Sequence, residues 1–164
     1  MTVVGESHFE DVVAKMPRYL QTLQDCASIV KNSRGVFSPK LPTDIGVYVF
    51  YEDNCPVYVG RSDRIRARLN EHGRPSSDAN SASFAFNIAR EEFGRQTDPE
   101  IAGIIDRTTL QKIPEFKLLF DRAKERVRSM TVRVVEIEDP IEQTIFEVYA
   151  HMKLGTPFNS FENH

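Results

Sequence analysis

The chain has 164 residues, 40% of them hydrophobic and 27% charged, with a formal net charge of -3. This is the composition of an ordinary globular chain, read as one domain over residues 1–164, and it excludes disordered, collagen-like and disulfide-stapled scaffolds. Its apolar runs fall far short of the ~20 residues that cross a bilayer, so no membrane partner is expected.

The N-terminal stretch MTVVGESHFEDVV carries acids where a secretory leader would be apolar, and Cys26 and Cys55 read as two reduced thiols. Both features predict a cytoplasmic protein. Phe9, Val12, Val13, Met16, Leu20, Leu23, Ala27 and Val30 recur at helical spacing. They predict an N-terminal helical segment, either kinked at Pro17 or restarted there as a second helix. The stripe would pack on its own domain, with a homodimer through it as the alternative. Residues 33–42 read as a loop, because Gly35, Pro39 and Pro42 punctuate them.

Ile45 to Phe50 and Pro56 to Gly60 are β-rich runs separated by Glu52, Asp53 and Asn54, the pattern of an antiparallel hairpin. A helix follows, with Ser62 as its cap, Ile65 and Leu69 as buried anchors and Gly73 as its end. Residues 74–129 form a helical insertion with stretches at roughly 82–95, 99–106 and 115–128. Met130 to Ile137 is a third strand, with Val132 and Val134 on one face and Val135 and Ile137 on the other. Asp139 and Pro140 then start a last helix that Gly155 and Pro157 end. Its buried stripe is expected at Ile141, Ile145, Val148 and Met152. The fold class is therefore α+β, a small antiparallel three-stranded sheet flanked by helices.

Between Arg61 and Arg74 stand five arginines (Arg61, Arg64, Arg66, Arg68 and Arg74) and His72, against only Asp63 and Glu71. A solvated helix face explains such a cluster, and so does contact with phosphate, for which planar bidentate guanidinium groups are suited. The four histidines show no metal-binding pair spacing, and the two cysteines are far apart, so a structural zinc is not expected. Asp106 with Glu115-Phe116-Lys117 copies a nuclease spacing, but its acids would need adjacent strands and the surrounding sequence reads as helix and turn.

Gly46-Val47-Tyr48 precedes Tyr58-Val59-Gly60 by ten residues; Arg68 lies eight beyond Gly60, His72 four later, and Glu147 stands twelve before Asn159. In this order the residues resemble the GIY-YIG nuclease superfamily, with valine in place of isoleucine in both tripeptides. The resemblance covers residues 44–73 and 130–160. It implies a catalytic core in those two segments, an N-terminal helical extension over 1–40 and an insertion over 74–129. It also implies that Tyr48, Tyr58, Arg68, His72, Glu147 and Asn159 form the site, with Arg61, Arg64, Arg66 and Arg74 binding nucleic acid.

Phosphodiester hydrolysis needs an activated water, a cation on the non-bridging oxygens and stabilisation of the departing 3' oxygen. A free phenol has a pKa of ~10, so a tyrosine serves as general base only beside a cation. The resemblance gives that base role to Tyr48 and places Tyr58 beside the phosphate. Arg68 would bind the phosphate. His72, one turn on, would orient a hydroxyl or carry a proton, although a satisfied core histidine explains it too. Glu142 falls where a capping box with Asp139 accounts for it, whereas Glu147 has no such duty and is the expected metal ligand. A single carboxylate suits Mg²⁺ that keeps most of its waters, with Mn²⁺ able to substitute. The expected substrate is DNA, with RNA left open. The alternatives are a DNA-binding module without turnover and a helix-mediated interaction protein.

Overall fold

The computed structural model describes residues 4–161. In chain order the elements are α1 (Val4–Asp25), β1 (Val30–Lys31), β2 (Phe37–Ser38), β3 (Gly46–Glu52), β4 (Cys55–Ser62) and α2 (Ile65–Gly73). There follow α3 (Ser83–Gln96), α4 (Pro99–Ile104), α5 (Arg107–Leu110), α6 (Pro114–Arg128), β5 (Thr131–Glu136) and α7 (Pro140–Leu154). The fold is α+β. Two compact units divide the chain: residues 1–65 with 131–156, and residues 66–130 with 157–164.

The first unit is built on an antiparallel sheet of order β4-β3-β5. Val47, Val49, Tyr51, Val59 and Val135 alternate onto one face, where Val12, Met16 and Leu23 of α1 and Phe146 and Ala150 of α7 complete an apolar core. Tyr19 and Phe146 meet edge to face at 5.6 Å, so α1 packs on α7 within this unit. The other face carries Tyr48, Phe50, Val132 and Val134, all buried. The division of β5 into two apolar faces is as its sequence predicts.

One pair of alternatives for this unit is decided and two expectations change. Helix α1 is one helix with Pro17 inside it, on an exposed position where water can replace the missing N–H. It stops at Asp25, and the periodicity through Val30 is misleading, because Val30 belongs to a short hairpin pairing β1 with β2. On α7 the stripe is rotated. Ile141, Val148 and Met152 are exposed, and Glu142, Gln143, Phe146 and Ala150 are buried. Gln143 can be buried because its amide donates to the Ile137 carbonyl at 2.7 Å.

The second unit packs α3 on α6 through a run of aromatic rings. Phe86 lies 5.2 Å from Phe116 and 6.0 Å from Phe120, and Phe93 lies 5.6 Å from Phe116. Lys124 is buried yet satisfied: its Nζ donates to the carbonyls of Pro75 and Ser77 and pairs with Asp121, holding the chain after α2 against α6. The helix expected over 99–106 is α4, which ends at Ile104, and the further short helix α5 lies outside the expected stretches: the Asp106 side chain caps it by accepting from Thr109.

Candidate active site

The hairpin of β3 and β4 closes with Asp53 and Asn54, both at positive φ (50° and 64°), between the paired residues Glu52 and Cys55. This is the two-residue turn whose twist matches that of the strands. Counting from it, Tyr51 pairs with Pro56, and an undisturbed ladder would set Tyr58 opposite Val49, on the core face. A bulge intervenes: Phe50 pairs with Tyr58 and Tyr48 with Gly60, leaving Val57 as the extra residue. Tyr48, Phe50 and Tyr58 therefore share one face, with ring centroids 5.8 Å apart for Tyr48 and Phe50 and 6.4 Å for Phe50 and Tyr58.

The glycines of both tripeptides are required by this geometry. A Cβ on Gly60 would stand 2.4 Å from the Tyr48 hydroxyl, so the ring of Tyr48 lies directly over the missing side chain. Gly46 has φ of +142°, and a Cβ there would sit 2.1 Å from the Val135 carbonyl oxygen. Tyr48 is only 1% exposed, whereas Tyr58 is half-buried.

Glu147 comes from α7, which packs along β4, the edge strand of the sheet. Its Oε2 accepts from Arg61 Nε at 3.1 Å. Arg61 follows Gly60, so the Tyr48 ring and the Glu147 carboxylate both address one dipeptide of β4. Burial raises the Glu147 pKa, and the charge and hydrogen bond of Arg61 offset this only in part. Glu142 behaves differently. The capping-box expectation is corrected, because its two oxygens accept from Lys15 Nζ and the Tyr19 hydroxyl, each at 2.5 Å, on α1. Asp139 caps the helix through Oδ1, which accepts from the backbone N–H groups of Ile141 and Glu142.

The second unit holds Arg68, His72 and Asn159. Arg68 Nη1 donates to Glu71 at 3.1 Å and to the Ser81 carbonyl at 2.7 Å, and its Nη2 donates to Ser83 Oγ at 3.0 Å. His72 is wholly buried, its ring edge-on to Phe84 at 6.3 Å. Desolvation, then the neighbouring Arg68 charge, holds its pKa well below the ordinary value and keeps it neutral. Asn159 follows Phe158, whose ring lies 5.8 Å from that of Phe84 and beneath the Arg126 guanidinium. Arg61, Arg64, Arg66 and Arg74 are exposed.

A segment of 34 residues is 41% identical to UvrABC system protein C of Deinococcus radiodurans. The match takes in 21% of this chain and 6% of that protein. No family model and no solved structure matches the chain.

Among the described residues no cluster of three or more His, Cys, Asp or Glu side chains is placed to hold a metal, and no helix is long and apolar enough to cross a membrane. A single desolvated carboxylate, Glu147, is the ligand type that a hydrated Mg²⁺ accepts. Sequence reasoning missed the pairing of Arg61 with Glu147 and the anchoring of Arg68 by Ser81 and Ser83. No local pattern signals either: the first joins residues 86 apart in the chain, the second joins residues across a loop.

Proposed function

We propose that the chain is a metal-dependent endonuclease that hydrolyses phosphodiester bonds in DNA, of the type the GIY-YIG resemblance implies. The observation that carries this reading is the bulged register that sets Tyr48 and Tyr58 on one face, with the Tyr48 ring packed over Gly60. The match to a protein of the UvrABC system supports a nucleic-acid substrate.

In this reading Tyr48 acts as a phenolate that takes the proton of the attacking water and becomes the neutral phenol, and Tyr58 orients the phosphate from beside it. Arg68 donates to the non-bridging oxygens and neutralises charge that grows as the phosphorus becomes five-coordinate. The P–O bond to the 3' oxygen breaks as the water oxygen bonds to phosphorus. Glu147 would hold Mg²⁺ or Mn²⁺, which supplies Lewis-acid stabilisation of the phosphate and leaving oxygen when bound. Asn159 would fix the leaving side by hydrogen bonding, and Arg61, Arg64, Arg66 and Arg74 would follow the backbone. His72 acts in this scheme through packing and not as a proton carrier, since it is buried and neutral.

The test is cleavage of plasmid, forked, flapped and single-stranded DNA, and of RNA, with Mg²⁺, Mn²⁺ or EDTA. Glu147→Ala should abolish cutting while leaving binding measurable, and Arg68→Ala should be comparably damaging. Turnover of Arg68→Ala within about tenfold of wild type would contradict its place at the phosphate, since charged hydrogen bonds are worth more than that. The near-complete burial of Tyr48 favours a second reading, a binding module without turnover. That reading predicts salt-sensitive DNA binding and no cleavage under any of these conditions.

A further inference from the structure

Helix α3 lies outside every segment that the sequence motif marks, yet its first two turns touch two of the motif's residues and the neighbour of a third. Ser83 Oγ accepts from Arg68, the Phe84 ring packs against His72 and Phe158, and Asn87 Nδ2 donates to the Phe158 carbonyl at 3.0 Å. Ser83 and Asn87 stand four apart and so share one face of the helix. We propose that Ser83 and Asn87 are positioning residues: they fix, respectively, the Arg68 guanidinium and the backbone that presents Asn159. This inference rests on the phosphodiesterase reading above.

The donor count of Arg68 gives the first half its chemical content. A guanidinium carries five N–H donors. Among the described residues, three are directed to Glu71, the Ser81 carbonyl and Ser83 Oγ. Two remain, the number a phosphate oxygen pair accepts in a bidentate contact. A side chain with four rotatable bonds would otherwise sample many orientations, and these acceptors select one before substrate arrives. Glu71 supplies charge and the Ser81 carbonyl an acceptor. Ser83 supplies the only hydroxyl of the three, and the N-cap position of α3 belongs to Ala82.

The second half rests on Asn87. Its Nδ2 must face Phe158, because a carbonyl can only accept, and this leaves its Oδ1 buried with no partner among the described residues. A half-satisfied buried amide is costlier than an apolar side chain of similar size. What the amide alone supplies is the donor that ties Phe158, and with it the adjoining Asn159, to α3. Arg126 above the Phe158 ring and Phe84 beside it close the same segment from two further sides. The insertion thus does more than elaborate the surface: its first helix sets the geometry of groups that the sequence motif assigns to chemistry.

The experiment pairs kinetics with a spectroscopic signature. Ser83→Ala should lower single-turnover cleavage of plasmid DNA in Mg²⁺ by roughly tenfold with KM within about twofold of wild type, as loss of one hydrogen bond to a charged group allows. Ser83→Thr should restore the rate. In NMR spectra of the ¹⁵N-labelled protein, the Arg68 Nη signals, identified by their loss in Arg68→Lys, should be resolved in wild type and Ser83→Thr and averaged in Ser83→Ala. Asn87→Ala should shift the Asn159 backbone amide and lower the rate. Wild-type cleavage rates in both alanine variants, with unchanged Arg68 and Asn159 signals, would overturn the proposal. If the wild-type chain cuts nothing, the nuclease reading falls, and the NMR contrasts alone decide whether Ser83 and Asn87 hold these groups.

Discussion

The first turn and the middle of helix α7 each carry a glutamate, and the two are treated in opposite ways. At the first turn Glu142 is buried with both oxygens occupied, and its pKa is held below the ordinary range by its hydrogen bonds to Lys15 and Tyr19. The cost passes to its partner: burial and the Glu142 bond push the Tyr19 phenol up to about 12. In the middle Glu147 is also withdrawn from water, but Arg61 does not make good the loss, and its pKa rises. The two side chains diverge by ~140° around the helix, one toward α1 and one toward β4. The difference separates a carboxylate used to join two helices from one kept under-compensated, the state that a cationic ligand relieves.

Replacing Glu147 by Gln attacks the comparison most directly. Cleavage should fall at least about a hundredfold, as expected for loss of a metal-holding group. The melting temperature at pH 7 should stay level or rise, because an uncharged amide escapes the burial cost. A destabilised Glu147→Gln protein would show that the residue serves the fold. Glu142→Gln should do the reverse: about 2 kcal/mol of stability lost in denaturant titration, from stranding Lys15 and Tyr19, with cleavage per folded molecule unchanged.

Acid sharpens the contrast. Glu142, with its lowered pKa, contributes stability above the ordinary carboxylate range and loses it as pH falls through its folded value. Charged Glu147, with its raised pKa, costs stability above its folded value and is relieved as it protonates. Both variants should therefore converge on wild type in acid, from opposite sides. The smallest expected effect belongs to His72. Its folded pKa lies below the unfolded one, so the unfolded chain takes up a proton first, and stability should already decline as pH drops below about 6.5. Thermal melts of His72→Phe between pH 7 and 5 should lack that early decline.

What could be read from the chain alone follows from the range of the forces involved. The hairpin, the two faces of β5 and the Asp139 cap depend on neighbours in sequence, and they stand where the residues predict. The α7 stripe does not, because hydrophobicity favours Ile141, Val148 and Met152, while the buried places go to Glu142 and Gln143, whose partners lie on other elements. Likewise the helical periodicity runs on to Val30, but α1 ends at Asp25 and Ile29 already bridges to Val132. The six expected site residues are those the GIY-YIG resemblance implies. That Tyr48 is almost wholly buried, His72 held neutral and Arg68 anchored by Ser83 depends on contacts that no helical or strand period encodes.

The hairpin is a parity lock with one exempt position, the bulge at Val57. With a two-residue turn kept, each residue added to or removed from the regular ladder between the two tripeptides turns one tyrosine through the sheet, whereas a residue held in the bulge does not. Deleting Val57 alone should remove the bulge and leave Phe50 opposite Tyr58 and Tyr48 opposite Gly60, so both phenols keep their face, without altering a single residue of either tripeptide.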